Sequence, residues 1–342
     1  MYHDPSTAFA QQPSDADSDD PFSLVDSAAV AEERFKAGVA YHQEAQYKMA
    51  LISLQRALDM LSSVEPGLLK GKIYNAIATV HYSQRRYLWA LEPARKALAI
   101  GESLDNNYLR LICLDQIGNS YRHLNDLDKA LAALQESRQI AESMANSKIL
   151  SRSLNNLGLA YKAKRDYAQA INCYEQSLLL AKENGNMRKV SQILRNIGNL
   201  HHRIGDYAKT VDYYSQLLDV ESSPLDTSTK IKILRNISSA CYALGRYSMA
   251  VQYLKQRLKL AQKVSDLKVQ EQSLDDLSLN YDALGKTDHV LHYQEQRLQI
   301  CLELRNSQLQ QQALDRLRAT CLSVGDFERI LKYQHLFNGR TA

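Results

Sequence analysis

The sequence predicts an all-α fold, a right-handed superhelical solenoid of about eight helix–turn–helix repeats. Three observations carry this: residue types recur every 40 positions, apolar spacing inside each period is helical, and turn and capping residues stand at fixed places between the apolar stretches. A fixed period between about 20 and 50 residues belongs to solenoids or propellers. No segment alternates with period 2, which excludes the propeller. A chain of 342 residues also exceeds what one hydrophobic core usually serves, so a core buried in slices along a stack is the natural solution.

The period is read from columns that step by 40 without slippage. One runs Tyr41, His81, Tyr121, Tyr161, His201, Cys241, Tyr281, Cys321. Six residues on comes Tyr47, Tyr87, Leu127, Tyr167, Tyr207, Tyr247, Thr287, Phe327, and three further Ala50, Ala90, Ala130, Ala170, Thr210, Ala250, Val290, Ile330. A small-residue column precedes them at Gly38, Ala78, Gly118, Gly158, Gly198, Ser238 and Ser278. Two helices approach to about 8–10 Å only where side chains are short at the crossing, so these columns mark the contact between the two helices of a repeat, helix A and helix B.

Between helices A and B, Gly205, Gly245, Gly285 and Gly325 occupy the turn position where a helix ends in a left-handed residue. Asp126, Asp166, Asp206 and Asp326 follow and are suited to accept from the free N–H groups that open helix B. A second capping column joins successive repeats at Asp26, Asn106, Asn146, Asn186, Asp226, Asp266 and Asn306, broken only by Pro66. Pro93 falls inside helix B of the second repeat and predicts a bend or a displaced helix start. Pro224 predicts an early end to helix B of the fifth repeat and a longer loop. The last repeat departs from the pattern, with Arg318 for the small residue and Ile330 for Ala. That end is read as a solvated cap, or else its Phe327, Ile330 and Phe337 meet a partner or a second copy of the chain.

Domain organisation follows. Residues 1–25 form an acidic leader, rich in Ser, Asp, Gln, Pro and Ala, which cannot bury enough apolar surface to offset its ordering entropy and is expected to be disordered. Residues 26–342 form the solenoid, with repeats near 27–66, 67–106, 107–146, 147–186, 187–226, 227–266, 267–306 and 307–342. The net charge of +4 is unevenly placed: residues 1–31 hold six Asp and no Lys, Arg or Glu, leaving +10 on the remainder. Against such a body the leader is a solubilising tail or a tethered competitor for the ligand groove. No apolar run reaches the roughly 18 residues of a membrane span, and no secretory signal is visible. Five dispersed cysteines without a CxxC pair read as buried thiols in a reducing, cytoplasmic compartment.

These columns resemble the tetratricopeptide repeat. Residues 153–181 match its pattern closely, with Leu157-Gly158, Tyr161, Asp166-Tyr167, Ala170, Tyr174 and Leu178. The 40-residue form is similar to the variant in Pins-type spindle-orientation scaffolds and in bacterial peptide-sensing regulators. The proline that ends helix B in the family is absent here, in keeping with longer helices. The resemblance implies a superhelix whose concave wall, built from helix A, holds an extended or helical peptide. It implies a scaffold or adaptor rather than an enzyme.

On helix A, positions away from the packing columns are therefore expected to face the groove. These are Arg152, Asn155, Asn156, Lys162, Arg195, Asn196, Asn199, His202, Arg203, Lys232, Arg235, Asn236, Tyr242, Asp275 and Asp276. Repeats four to six carry the cations, and repeats seven and eight turn acidic through Asp275, Asp276, Asp282 and Asp315. The Asn156, Asn196, Asn236 ladder suits an extended backbone, because an amide donates and accepts at once. Arg adds bidentate recognition of carboxylates. The expected partner is a protein or peptide with an acidic segment lying on repeats four to six; alternatively these are ordinary solvated helix faces. Arg195, Asn199 and Asn236 also partly resemble the two-carboxylate clamp of chaperone-tail binders, but Gln272 and Asp276 replace its further cations.

The search for reaction chemistry is negative. Gly67–Lys72 lacks the Ser or Thr and the preceding strand of a phosphate-binding loop. His289 and His292 lie three apart with no third ligand at matching spacing, and read as a surface pair. No cofactor and no enzymatic activity are expected. Alternatives are a peptide-sensing regulator, for which a leader near 25 residues leaves no room for an output domain, and an RNA-binding repeat protein, for which exposed aromatic platforms are not evident.

Overall fold

The computed structural model describes residues 21–62, 67–220 and 225–333, and every structural statement here concerns those residues. All their regular structure is helical, and the helices fall into two compact units divided between Arg165 and Asp166. The first unit holds α1 (Pro21–Gln43), α2 (Tyr47–Met60), α3 (Leu68–Ser83), α4 (Tyr87–Ser103), α5 (Asn107–His123), α6 (Leu127–Ser143) and α7 (Ser147–Lys164). The second holds α8 (Tyr167–Glu183), α9 (Met187–Ile204), α10 (Tyr207–Asp219), α11 (Thr227–Ala243), α12 (Tyr247–Lys263), α13 (Leu267–Ala283), α14 (Thr287–Glu303), α15 (Ser307–Val324) and α16 (Phe327–Lys332). Within each unit every helix packs on the next, and successive A helices also touch: α1 with α3, α3 with α5, α5 with α7, and α9 with α11.

The small column does what its spacing predicts. A Cβ built on Gly118 would stand 2.5 Å from the Leu134 side chain, on Gly38 2.7 Å from Leu54, and on Gly198 2.7 Å from the Tyr214 ring. Helix B lies against helix A at these points because no side chain separates them. The Ala column of helix B is fully buried at Ala50, Ala90, Ala130, Ala170 and Ala250. Around these crossings the Leu and Ile residues of one repeat and the next form the core, each buried side chain contributing roughly 1.5–3 kcal/mol.

The turn glycines are left-handed, with φ between +66° and +79° at Gly205, Gly245, Gly285 and Gly325. Six second-column caps accept backbone hydrogen bonds as expected, Asn106 from Leu109, Asn146 from Lys148 and Ile149, Asn186 from Lys189, Asp226 from Thr229, Asp266 from Val269 and Asn306 from Gln308 and Leu309. Asp126, Asp166, Asp206 and Asp326 cap helix B in the same way.

Two expectations are corrected. Helix α1 begins at Pro21, so residues 21–25 are helical and Asp26 lies inside the helix instead of capping it. Proline fits the first helical position because the missing N–H has no partner there in any case. Of the two outcomes expected of Pro93, the displaced start does not occur: α4 starts at Tyr87 like its sisters and runs to Ser103. At its seventh position the ring removes the helical donor to the Trp89 carbonyl and crowds that carbonyl, and Trp89 is exposed. Helix α10 does end early, at Asp219 after 13 residues against 17 in α8 and α12. The loop expected at Pro224, the break at Pro66, residues 1–20 and Phe337 lie outside the described residues.

All five cysteines are buried and free; burial pushes the Cys113 thiol up to about 12. Among the described residues no helix is long and apolar enough to cross a membrane. At the C-terminal end Ile330 packs on the core cluster of α14 and α15, whereas Phe327 and Leu331 are exposed.

Candidate functional site

The second unit contains a cleft, and one glycine sets the packing next to it. Because Gly198 has no Cβ, the Tyr214 ring of α10 lies against α9 and is fully buried. Its hydroxyl donates to Asn199 Oδ1 at 2.7 Å and accepts from Asn236 Nδ2 at 3.2 Å. One phenol thus holds groove-side amides from α9 and α11. Burial raises the Tyr214 pKa, which keeps the hydroxyl protonated and able to donate.

Asn236, held by Tyr214, lines a cleft of about 490 Å³ together with His202 of α9, Arg235, Ser239 and Tyr242 of α11, and Asp276 and Asn280 of α13. A neighbouring cavity of about 460 Å³ shares Arg235 and adds Lys232, Arg257 and Gln272. Arg235 therefore stands between two hollows. Burial, and then the Arg235 charge, holds the His202 imidazole below its usual range, so the ring is neutral at pH 7. Tyr242 is 45% exposed and offers an aromatic edge at the cleft mouth.

Five of the predicted groove residues, His202, Arg235, Asn236, Tyr242 and Asp276, are brought together in the first hollow. Lys232 lines the second. Arg195 is half-buried and close enough to Tyr214 to act on its hydroxyl, and Arg203 is exposed at the end of α9. Arg195, Arg203, Lys232 and Arg235 make no ion pair among the described residues. In the first unit, Arg152 pairs with Asp115 at 3.2 Å, Asn156 bonds the same carboxylate, and Lys162 is half-buried.

Asn155 and Asn196 are corrected. They are 1% and 9% exposed and belong to the core rather than the groove wall. The column of Asn155 also holds Asp115, Arg195 and Arg235. Asn155 and Asp115 are covered by neighbouring helices, whereas the longer Arg195 and Arg235 carry their charge toward the surface. The Asn ladder is likewise partly committed inward, through Asn156 to Asp115 and Asn236 to Tyr214.

The acidic turn of the seventh repeat has an internal explanation that sequence reasoning missed. Arg257 of α12, 2% exposed, reaches Gln272 at 2.9 Å and Asp276 at 3.4 Å. Arg297 of α14, 4% exposed, bonds Glu271 at 2.7 Å and Asp275 at 2.9 Å, and Arg316 pairs with Asp275 as well. Both arginines occupy a helix-B column that reads Ala57, Ala97, Ser137, Ser177 and Leu217 earlier in the chain. That change from uncharged residues to Arg, coincident with carboxylates on the following helix A, is the signal that identifies them. Burial raises the Asp276 pKa and Arg257 opposes it.

Among the described residues no group of three or more His, Cys, Asp or Glu could hold a metal ion. His289 stacks on Tyr281 at 4.5 Å, and His292 lies 2.8 Å from the Gln296 amide nitrogen.

Comparison with known proteins agrees with this architecture. The sequence profile described as tetratricopeptide repeat matches residues 69–143, 109–183, 149–222 and 189–263, a continuous span of more than half the chain. No curated protein matches in sequence. Among solved structures, a Rap protein complexed with Competence and Sporulation Factor is similar at 17% identity, over 80% of this chain and 75% of that one, with a TM-score of 0.52. Aspartyl phosphate phosphatase F from Bacillus subtilis is similar at 17% identity, over 81% and 71% of the two chains, with a TM-score of 0.57. A signal transduction ATPase with a tetratricopeptide repeat sensor from Pyrococcus horikoshii shares 15% identity over 94% of this chain and 51% of its own, with a TM-score of 0.61. At these identities the structural likeness establishes the fold alone. With the repeat columns, the helical hairpins and the profile in agreement, the chain belongs to the tetratricopeptide repeat family.

Proposed function

We propose that this protein is a non-enzymatic interaction scaffold whose second unit holds a peptide of a partner protein, with an acidic segment of that peptide on Arg235. The observation that carries the reading is Arg235 itself, a guanidinium between two hollows with no ion pair among the described residues. Charge-assisted hydrogen bonds to such a group are worth about 1.5–3 kcal/mol each, and the bidentate fork favours a carboxylate. Asn236 retains a second amide hydrogen and a carbonyl for a peptide backbone after serving Tyr214, and Tyr242 supplies apolar contact. Asp276 lines the same hollow, and its charge is offset by Arg257 and Arg235, while Asp275 is paired with Arg297 and Arg316 outside both hollows. A tetratricopeptide-repeat fold in complex with a factor, as in the Rap structure, supports the variant in which the bound peptide is a regulatory signal.

The test is selection of an unstructured peptide library on the intact protein. Asp- and Glu-rich sequences should be enriched, and affinity for the best of them should fall at least tenfold in Arg235→Glu. Affinity for those peptides that survives both Arg235→Glu and Arg195→Glu would sink this reading.

A further inference from the structure

The groove columns change chemistry along the chain. Where the second unit presents Arg195, Arg235 and Ser239, the same columns in the first two repeats present Phe35, Asn75, Val39 and Thr79. There α1, α3 and α5 enclose a cavity of about 280 Å³ whose walls include Phe35, Val39, Ala76, Thr79 and Ile112, with the exposed Lys72 at its margin. This volume is below the roughly 300–1,000 Å³ of small-molecule sites and suits one or two apolar side chains. The surface is overwhelmingly apolar and has no element of the described chain upon it.

Residues 1–20 precede α1 and match the order of this groove, with Lys72, which also feels the Glu32 carboxylate of α1, as the cation at its margin. They carry Asp15, Asp17, Asp19 and Asp20 next to Pro21, and an apolar group, Ala8, Phe9 and Ala10, farther away. The groove is arranged in the same order when followed from the start of α1. With 1.5 Å per helical residue, the level of Lys72, opposite Glu32 in the 40-residue register, lies about 17 Å from Pro21. Phe35 lies about 21 Å and Val39 about 27 Å along. An extended chain covers about 3.4 Å per residue. Asp15, six residues before Pro21, thus reaches about 20 Å, and Phe9, twelve before, reaches about 40 Å. At full extension Phe9 would overshoot the cavity by about 13–19 Å, so a chain that turns back at Pro21 and runs antiparallel to α1 with that slack taken up can bring carboxylates toward Lys72 and Phe9 to the apolar cavity.

We infer that residues 1–20 dock in cis on the first unit, with Phe9 in the groove between α1 and α3 and the aspartates along Lys72. Tethering gives such a segment an effective concentration near the millimolar range, so weak contacts suffice to populate the docked form. The inference is independent of the Arg235 cleft. It assigns the leader a site different from the basic groove that charge alone suggests, and makes the first unit self-occupied until a competing apolar segment displaces the leader.

The experiment uses the full chain with a photoreactive benzoyl-phenylalanine in place of Phe9, irradiated at low protein concentration and mapped by mass spectrometry. Adducts within the chain, on Phe35–His42 of α1 or Lys72–Val80 of α3, are expected. Their yield should drop at least threefold in Ala76→Asp, with helicity checked by circular dichroism. If that variant does not fold, the exposed Lys72→Glu decides by the same threefold criterion. Adducts scattered over other helices, adducts found only at the mass of two chains, or a yield indifferent to the deciding substitution would each overturn the proposal.

Discussion

At the turns, one backbone conformation recurs in residues of very different cost. Gly205, Gly245, Gly285 and Gly325 take positive φ, but so do Ala45, Arg85, Asn125 and Arg165 at the equivalent place in the first four repeats. A side chain other than Gly in that region costs about 1–2 kcal/mol, part of which glycine gives back through a freer unfolded chain. Arg85→Gly should therefore raise the unfolding free energy by about 0.5–1 kcal/mol, measured by urea denaturation. Gly245→Ala, where nothing lies within 4 Å of the added Cβ, should lower it by a similar amount through the backbone alone. A residue-scale effect of pH is expected from His201, which is buried, stacks on Tyr213 and has Nδ1 3.2 Å from Asp206. Burial holds its pKa below the usual 6.5 despite the opposing carboxylate. The unfolded chain then binds the extra proton first as pH falls, so this contribution is complete above about pH 6.5 and is lost below it. Denaturation midpoints measured from pH 7.5 to 5 should decline, and His201→Phe should flatten the slope.

Among the helices, most of the pattern was legible because it depends on local rules. The capping columns, the glycine turns and the small-residue crossings each need only residue type and spacing, and the 40-residue register supplies the spacing. The start of α1 was misplaced because an Asp in a capping column and a Pro at a first helical position are both valid openings. The site was legible only in part, since periodicity tells which face a residue is on but not how far its side chain extends. Arg235 and Asn155 share a column and differ in exposure for that reason. Arg257 and Arg297 were invisible to single-helix reading, because a buried cation is tolerable only through carboxylates supplied by another helix. The link between α5, α6 and α7 makes the same point in the first unit. Asp115 is 7% exposed, its pKa raised by burial, and it is held by Ser137 at 2.7 Å and Arg152 at 3.2 Å. Removing the cation strands a buried carboxylate. Arg152→Ala should cost about 2–3 kcal/mol, less than the 3–5 of a fully buried pair because Arg152 is partly solvated. Adding Asp115→Asn should recover most of it in a double-mutant cycle.

For the whole molecule, the consequence of repeat construction is that damage stays local. Each hairpin is held by its neighbours within a unit, and stability accumulates as a sum of repeat and interface contributions. A chain of this kind need not unfold in a single step, because two-state behaviour fails as arrays lengthen. The crossing at Gly198 offers a clean perturbation, since an added side chain meets the Tyr214 ring at 2.7 Å and this ring cannot move without releasing Asn199 and Asn236. Overpacking of this kind costs about 1–3 kcal/mol or more. Gly198→Leu should speed amide hydrogen exchange in α9, α10 and α11, read peptide by peptide by mass spectrometry, while exchange in α3 and α4 changes less than twofold. Acidic-peptide affinity should fall with it, because the tyrosine that orients Asn236 is displaced. Uniform acceleration over all helices would instead mean that the 342 residues unfold as one cooperative body, and the account of stability as a sum of local interfaces would fail for this chain.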